Sequence, residues 1–193
     1  MKEEIILIGG GGHCKSCIDV IEQEGRFTIA GIVDLPDKKQ NNILGYPVIS
    51  ADADLAELIK SFPNVLITLG QIKSPNRRIE LFNELMQIRA CFPVIQSPLA
   101  YVSPHAQVAA GTIVMHHALI NADANVGKNC IINTKALVEH DAVIENHCHI
   151  STGAVVNGGV IIGSGSFFGS GAVSKEYTTI PANSFIKANS VIP

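Results

Sequence analysis

From Val102 to the end of the chain a bulky apolar residue returns every six positions, through Val108, Val114, Ile120, Val126 and Ile132 to Ile186 and Ile192. Of the sixteen positions in this row only Ser174 is polar. Two residues ahead of each stands a small residue, from Ala100, Ala106 and Thr112 to Ser184 and Ser190, with Val160 as the exception. A helical face drifts out of a six-residue register within two repeats, whereas a strand pleat accommodates it. In each hexad the small and the bulky residue point inward, and the residue between them points outward. The rest of the hexad turns a corner. Gly127, Gly163 and Gly169, each one place after an inward residue, and the recurrent Asn and Asp suit such corners. Three hexads close a triangular coil of eighteen residues, and coils stack at about 4.8 Å. The pattern predicts a parallel β-helix of about five coils over 100–193.

Before Ala100 the periods change. Glu3–Gly9 reads as a buried strand, followed by the run Gly9-Gly10-Gly11-Gly12-His13 and a helix over Cys14–Glu24. A second strand, Phe27–Val33, ends at Asp34, and a third covers Val65–Leu69. Ser50 is placed to cap a helix running through Phe62, and a further helix follows Pro75. Alternating strands and helices predict a small parallel α/β domain over 1–99, joined to the β-helical domain, 100–193, by the short Tyr101-Val102-Ser103-Pro104.

Composition narrows the partners. The net charge of −3 supplies no basic field for nucleic acid or anionic lipid. Runs such as Ile5–Ile8 are far too short to span a bilayer, and residues 1–25 lack the layout of a signal peptide. Cys14, Cys17, Cys91, Cys130 and Cys148 are scattered and odd in number, which fits free thiols in a cytoplasmic protein. Cys14 and Cys17 have no second pair, so no metal is expected.

Two places could carry chemistry. The glycine-rich turn after the first strand can approach a phosphate at the N-terminus of the next helix. Its spacing is GGGGH rather than GxGxxG, which disfavours a dinucleotide dehydrogenase. Asp34 is either a ribose-binding carboxylate or a solvated strand end. Among the histidines, His105, His116, His117 and His147 fall outside the inward rows with no adjacent carboxylate. His140 differs, lying between Glu139 and Asp141 at a coil corner. A neutral imidazole oriented by a carboxylate can act as a general base. Gly158, eighteen residues on, occupies the same corner one coil later; it leaves room for the ring and offers a backbone N–H to an oxyanion.

The six-residue repeat resembles that of the left-handed β-helix acyltransferases, and the handedness is implied by that resemblance. The whole chain resembles the bacterial sugar acetyltransferases that include UDP-4-amino-sugar N-acetyltransferases and sialic acid O-acetyltransferases. The matching stretches are Ile6-Leu7-Ile8-Gly9-Gly10-Gly11-Gly12-His13, Ile120-Asn121-Ala122, Cys130-Ile131-Ile132-Asn133-Thr134, Val138-Glu139-His140-Asp141 and His149-Ile150-Ser151-Thr152-Gly153-Ala154. The resemblance implies a Rossmann-like domain that binds a nucleotide sugar, then an acyltransferase β-helix. It implies His140 as general base with Asp141 beside it, and His149 and Gly158 at the acetyl group of acetyl-CoA. It places Gly9, Gly11, Gly12 and His13 at the nucleotide diphosphate, Asp34 near the uridine, and Asn133 in the active site on the acceptor-binding side. It further implies a homotrimer with active sites between subunits and a role in surface glycan biosynthesis. Two stretches depart from the family pattern. Cys14 follows Gly-His, and the chain ends Lys187-Ala188-Asn189-Ser190-Val191-Ile192-Pro193 where a Gly-x-Pro-Ala-Lys-like segment near the CoA adenine is usual.

The expected activity is direct acetyl transfer from acetyl-CoA to the amino group of a nucleotide-activated sugar. An alternative keeps the donor and takes a sialic acid hydroxyl as acceptor. A third, of another class, is a non-catalytic solenoid scaffold.

Overall fold

The computed structural model describes residues 2–34, 42–50 and 55–193. It divides into two compact units, one made of Met1–Gly70 and Arg78–Pro93, the other of Gln71–Arg77 and Val94–Pro193.

In the first unit β1 (Glu3–Ile8), α1 (Gly12–Glu24), β2 (Phe27–Val33), β3 (Asn42–Ile43), β4 (Tyr46–Ser50), α2 (Leu55–Ser61), β5 (Asn64–Ile67) and α3 (Asn76–Gln87) follow in order, the last starting in the other unit. The sheet runs β3-β4-β2-β1-β5. β1 pairs in parallel with β2 and β5, so the turn after β1 opens at the carboxyl ends of the central strands. Ile5–Ile8 are all buried, as expected for a parallel strand covered on both faces. α1 buries Cys14, Cys17, Ile18, Val20 and Ile21. It stops at Gly25, in the left-handed conformation (φ +70°), whose N–H donates to the Ile21 carbonyl.

The β3–β4 hairpin is not among the elements predicted from sequence. Its turn residues Leu44 and Gly45 both have positive φ, and the Gly45 N–H donates to Asn42 Oδ1 at 2.7 Å. Leu44 is an uncommon residue for this conformation, so the usual Asn-Gly signal is missing. Ser50 ends β4; its capping contact and residues 51–54 lie outside the described residues.

In the second unit, two-residue strands recur every six residues from β7 (Tyr101–Val102) to β22 (Val191–Ile192), preceded by β6 (Ile95–Gln96). They form three parallel sheets of six, five and six strands, with neighbours eighteen residues apart, such as Leu119 beside Leu137. We call the faces first (with Tyr101), second (with Gln107) and third (with Ile113). Val114, Ile120, Val126, Ile132, Val138 and Ile144 pack in the interior with Ala118, Ala124 and Ala136 between them. A left-handed residue recurs at every corner from Gly111 to Asn189, filled by Gly, Asn, Asp, His, Lys or Tyr. A Cβ on Gly163 would fall 2.4 Å from the Ala182 nitrogen, so the next coil itself demands glycine there.

Candidate active site

The corner between the first and second faces reads Glu139-His140-Asp141-Ala142. Neighbouring residues on a strand point apart, but Asp141 adopts φ +59°, and the reversal brings its carboxylate back to the preceding imidazole. His140 Nδ1–H donates to Asp141 Oδ2 at 2.7 Å. That bond leaves the Nε2 lone pair available for a proton. Hydrogen bonding to Asp141, before any other cause, raises the pKa of His140 above its ordinary value, and the negative charges of Asp141 and Glu139 add to the rise. Both side chains are more than half exposed, so the pair is open to a ligand. Glu139 Oε2 braces the corner, accepting from Asn121 Nδ2 at 2.7 Å and from the His140 backbone N–H at 3.3 Å.

Gly158 lies one coil away, beside the ring. A Cβ there would sit 2.7 Å from His140 Cε1 and 2.8 Å from Nε2, so any side chain would displace the imidazole. The Gly158 N–H meets no acceptor among the described residues. The exposed ring and a free backbone donor, on the buried Gly158, therefore share one corner.

Asn133 and His149 form a second group. Asn133 Oδ1 accepts from the Thr134 N–H at 2.8 Å, and Asn133 Nδ2 donates to His149 Nε2 at 3.1 Å. His149 Nδ1–H donates to the Gln71 carbonyl at 2.6 Å, which sets the tautomer. Gln71 Nε2 donates in turn to the His147 carbonyl at 3.0 Å. His149 is buried in the outward row of the third face, with its ring edge-on to Phe167 at 5.2 Å. Asn133 sits at the corner between the third and first faces. The strand Leu137–Val138 on the first face separates this group from His140, so one chain does not bring the two together.

In the first unit the glycine loop splits by role. Gly9, at φ +105°, donates its N–H to the Val33 carbonyl, and its own carbonyl accepts from Thr68 Oγ1 at 2.6 Å. Gly11 is the N-cap of α1 and Gly12 its first residue. Nothing within 4 Å would meet a Cβ on either, and no side chain caps the helix. The helix end is thus exposed, with its dipole favouring an anion. His13 is half-buried in the first turn. Asp34 is buried, and a Cβ on Gly10 would come within 2.6 Å of its Oδ2. A cavity of about 370 Å³ is lined by Gly10, Lys15, Asp34, Asn42, Ile43, Leu44 and Val48. It gathers Asp34 with residues that sequence reasoning missed. Lys15 stands two residues past the loop and carries a charge that an anion would need. Gly10 was the one glycine of the run left out, and the hairpin residues carried no signal at all. Cys14 points into the core, where burial pushes its thiol up to about 11, so its place after Gly-His is a packing position.

A larger groove of about 620 Å³ runs along the second face from Gln107 to Ser164. Its one carboxylate, Glu145, is held below the usual range by the Ser164 hydroxyl and N–H, and no imidazole lines the groove. Among the described residues no group of three or more His, Cys, Asp or Glu could hold a metal ion, and no helix is long and apolar enough to cross a membrane.

The sequence profile of the PglD N-terminal domain matches residues 4–85. No curated protein matches the chain at a significant level. Solved structures do, over its full length. The acetyltransferase domain of PglB from Neisseria gonorrhoeae is 30% identical with a TM-score of 0.91, covering 100% of this chain and 92% of that one. A perosamine N-acetyltransferase variant from Caulobacter crescentus, solved with CoA and GDP-perosamine, is 31% identical with a TM-score of 0.92, covering 98% and 88%. The chain belongs to the PglD-like hexapeptide-repeat sugar acetyltransferases. This acetyltransferase has the fold of its relatives, an α/β domain followed by a left-handed β-helix. WeeI from Acinetobacter baumannii, 19% identical with a TM-score of 0.75, shares the fold and covers 98% of the chain and 96% of its own. The gonococcal domain has also been solved with acetyl coenzyme A.

Proposed function

We propose that this protein transfers the acetyl group of acetyl-CoA to the amino group of a nucleotide-activated amino sugar. One observation carries the chemistry: His140, oriented by Asp141, lies against Gly158, whose backbone N–H is unclaimed. The amine attacks the thioester carbonyl while His140 Nε2 takes its proton. Asp141 stabilises the imidazolium, and the Gly158 N–H donates to the developing oxyanion. Collapse breaks the carbon–sulfur bond, and the imidazolium returns the proton to the departing CoA thiolate. No acyl-enzyme forms. The names of the relatives, a perosamine N-acetyltransferase among them, favour an amine over a hydroxyl acceptor.

The acceptor's diphosphate rests on the open N-terminus of α1, at Gly11, Gly12 and His13, with Gly9 shaping the turn. Lys15 supplies a counter-charge, and Asp34 accepts from the nucleoside. His149 serves the acetyl-CoA side of the site, and Asn133, hydrogen-bonded to it, meets the acceptor. Because they stand a full face away from His140, each active site is assembled from two copies, in a homotrimer. The protein works in the cytoplasm, where nucleotide sugars and acetyl-CoA are both supplied, in the synthesis of surface glycans.

The test is a thiol-release assay with acetyl-CoA and either UDP- or GDP-linked 4-amino sugars, run against sialic acid. Release with an amino sugar and none with sialic acid is expected. Release with sialic acid alone would transfer the reading to O-acetylation.

A further inference from the structure

Ser174 is the single polar residue in the inward row, and it is 1% exposed. Burying a hydroxyl costs free energy unless it is hydrogen-bonded. Ser174 Oγ accepts from the Asn157 backbone N–H at 3.0 Å, and the Ser174 carbonyl accepts from Asn157 Nδ2 at 2.6 Å. This replaces the regular ladder. One coil earlier the Glu139 N–H donates to the Val156 carbonyl, and two coils earlier the Asn121 N–H donates to the Val138 carbonyl, both at 2.9 Å.

The exchange changes where the Asn157 side chain goes. Asn121, Glu139 and Asn157 occupy the same place in successive coils, directly before the corner residue. Asn121 Oδ1 caps the Ala122 N–H at 2.8 Å, and Glu139 Oε2 caps the His140 N–H at 3.3 Å. At the neighbouring corner Asn133 Oδ1 caps the Thr134 N–H at 2.8 Å. An asparagine in this place is therefore competent to cap. Asn157 is bound to Ser174 instead, and among the described residues the Gly158 N–H has no acceptor.

We infer that Ser174 and Asn157 are positioning residues of the acetyltransferase: their paired hydrogen bonds hold the Asn157 amide away from Gly158 and so keep its N–H open for the oxyanion. The inference rests on the reading of Gly158 as the oxyanion donor. Valine at 174 restores the apolar row and the regular ladder, which lets Asn157 swing back to cap Gly158.

Ser174→Val is expected to lower kcat by at least about tenfold and at most by the 10²–10³ typical for removing an oxyanion donor. KM for acetyl-CoA and the acid limb of the pH–rate profile should hold, because His140 and Asp141 are untouched. Adding Asn157→Ala removes the competing cap, so the double variant should recover most of the lost turnover. A defect of packing alone would leave the double variant as slow as Ser174→Val. Ser174→Ala, which removes the hydroxyl without adding volume, repeats the test if valine is not accommodated. Unchanged kcat in both Ser174 variants, or no recovery in the double variant, overturns the inference. In either case loss of turnover in His140→Ala leaves the wider assignment standing, and its survival there would overturn that assignment instead.

Discussion

At the residue scale the proposed chemistry depends on a backbone conformation as much as on side-chain identity. Asp141 reaches the imidazole because φ of +59° turns the chain back, and Asp is among the few non-glycine residues that tolerate this region. His140→Ala is expected to lower kcat by about 10²–10⁴-fold, the usual contribution of general-base catalysis, with acetyl-CoA binding retained by calorimetry. Asp141→Asn keeps the turn and removes the charge. Hydrogen bonding to Asp141 is the leading reason that the His140 pKa is raised. The base must be neutral to act, so in the wild type the rate climbs as pH rises through that raised pKa. In Asp141→Asn the climb should move to lower pH, while the plateau falls because the imidazolium loses its partner. A kcat/KM profile checks both, and an unmoved acid limb would remove Asp141 from the mechanism. The adjacency of His140, Asp141 and Gly158 was legible in the sequence because a fixed eighteen-residue coil turns residue numbers into neighbours. Lys15 and Gly10 were not, since the cavity they line with Asp34 also requires a hairpin, Asn42–Ser50, that the sequence does not announce.

At the element scale, each corner is shaped by the coil above it. Gly163→Ala would set a Cβ 2.4 Å from the Ala182 backbone nitrogen, which cannot move without its whole strand. A loss of about 1–3 kcal/mol is expected, the usual cost of overpacking, measured by chemical denaturation. Gly158→Ala differs, because its Cβ would meet the half-exposed tip of an imidazole rather than backbone. Stability should hold while kcat falls by about 10²-fold, since a displacement near 1 Å can cost that much. The hexad row foretold that Ser174 was an exception. It could not say why, because the reason is a hydrogen bond to Asn157, seventeen residues earlier.

At the scale of the whole molecule, the two groups of proposed site residues on the β-helix, His140 with Asp141 and Asn133 with His149, lie at different corners of the coil. If each site is shared between copies of the proposed homotrimer, the His140→Ala and Asn133→Ala proteins, both slow alone, should regain activity when dissociated, mixed and reassembled, because hybrids contain intact sites. Absence of recovery would place the site within one copy. Thiol titration gives a second check on the molecule as folded. Cys91 is exposed and Cys14, Cys17, Cys130 and Cys148 are buried, so one thiol per native chain should react rapidly and all five after denaturation. What the sequence by itself determined was the β-helix, its coil length and the His140 corner, because a period of six translates directly into inward rows and stacked neighbours. Tertiary structure alone decided that Gln71–Arg77 joins the β-helical unit, that the Gln71 carbonyl sets the tautomer of His149, and that Ser174 diverts Asn157. Those contacts link segments through particular hydrogen bonds that no periodic pattern records, and they exist only once the coils have stacked.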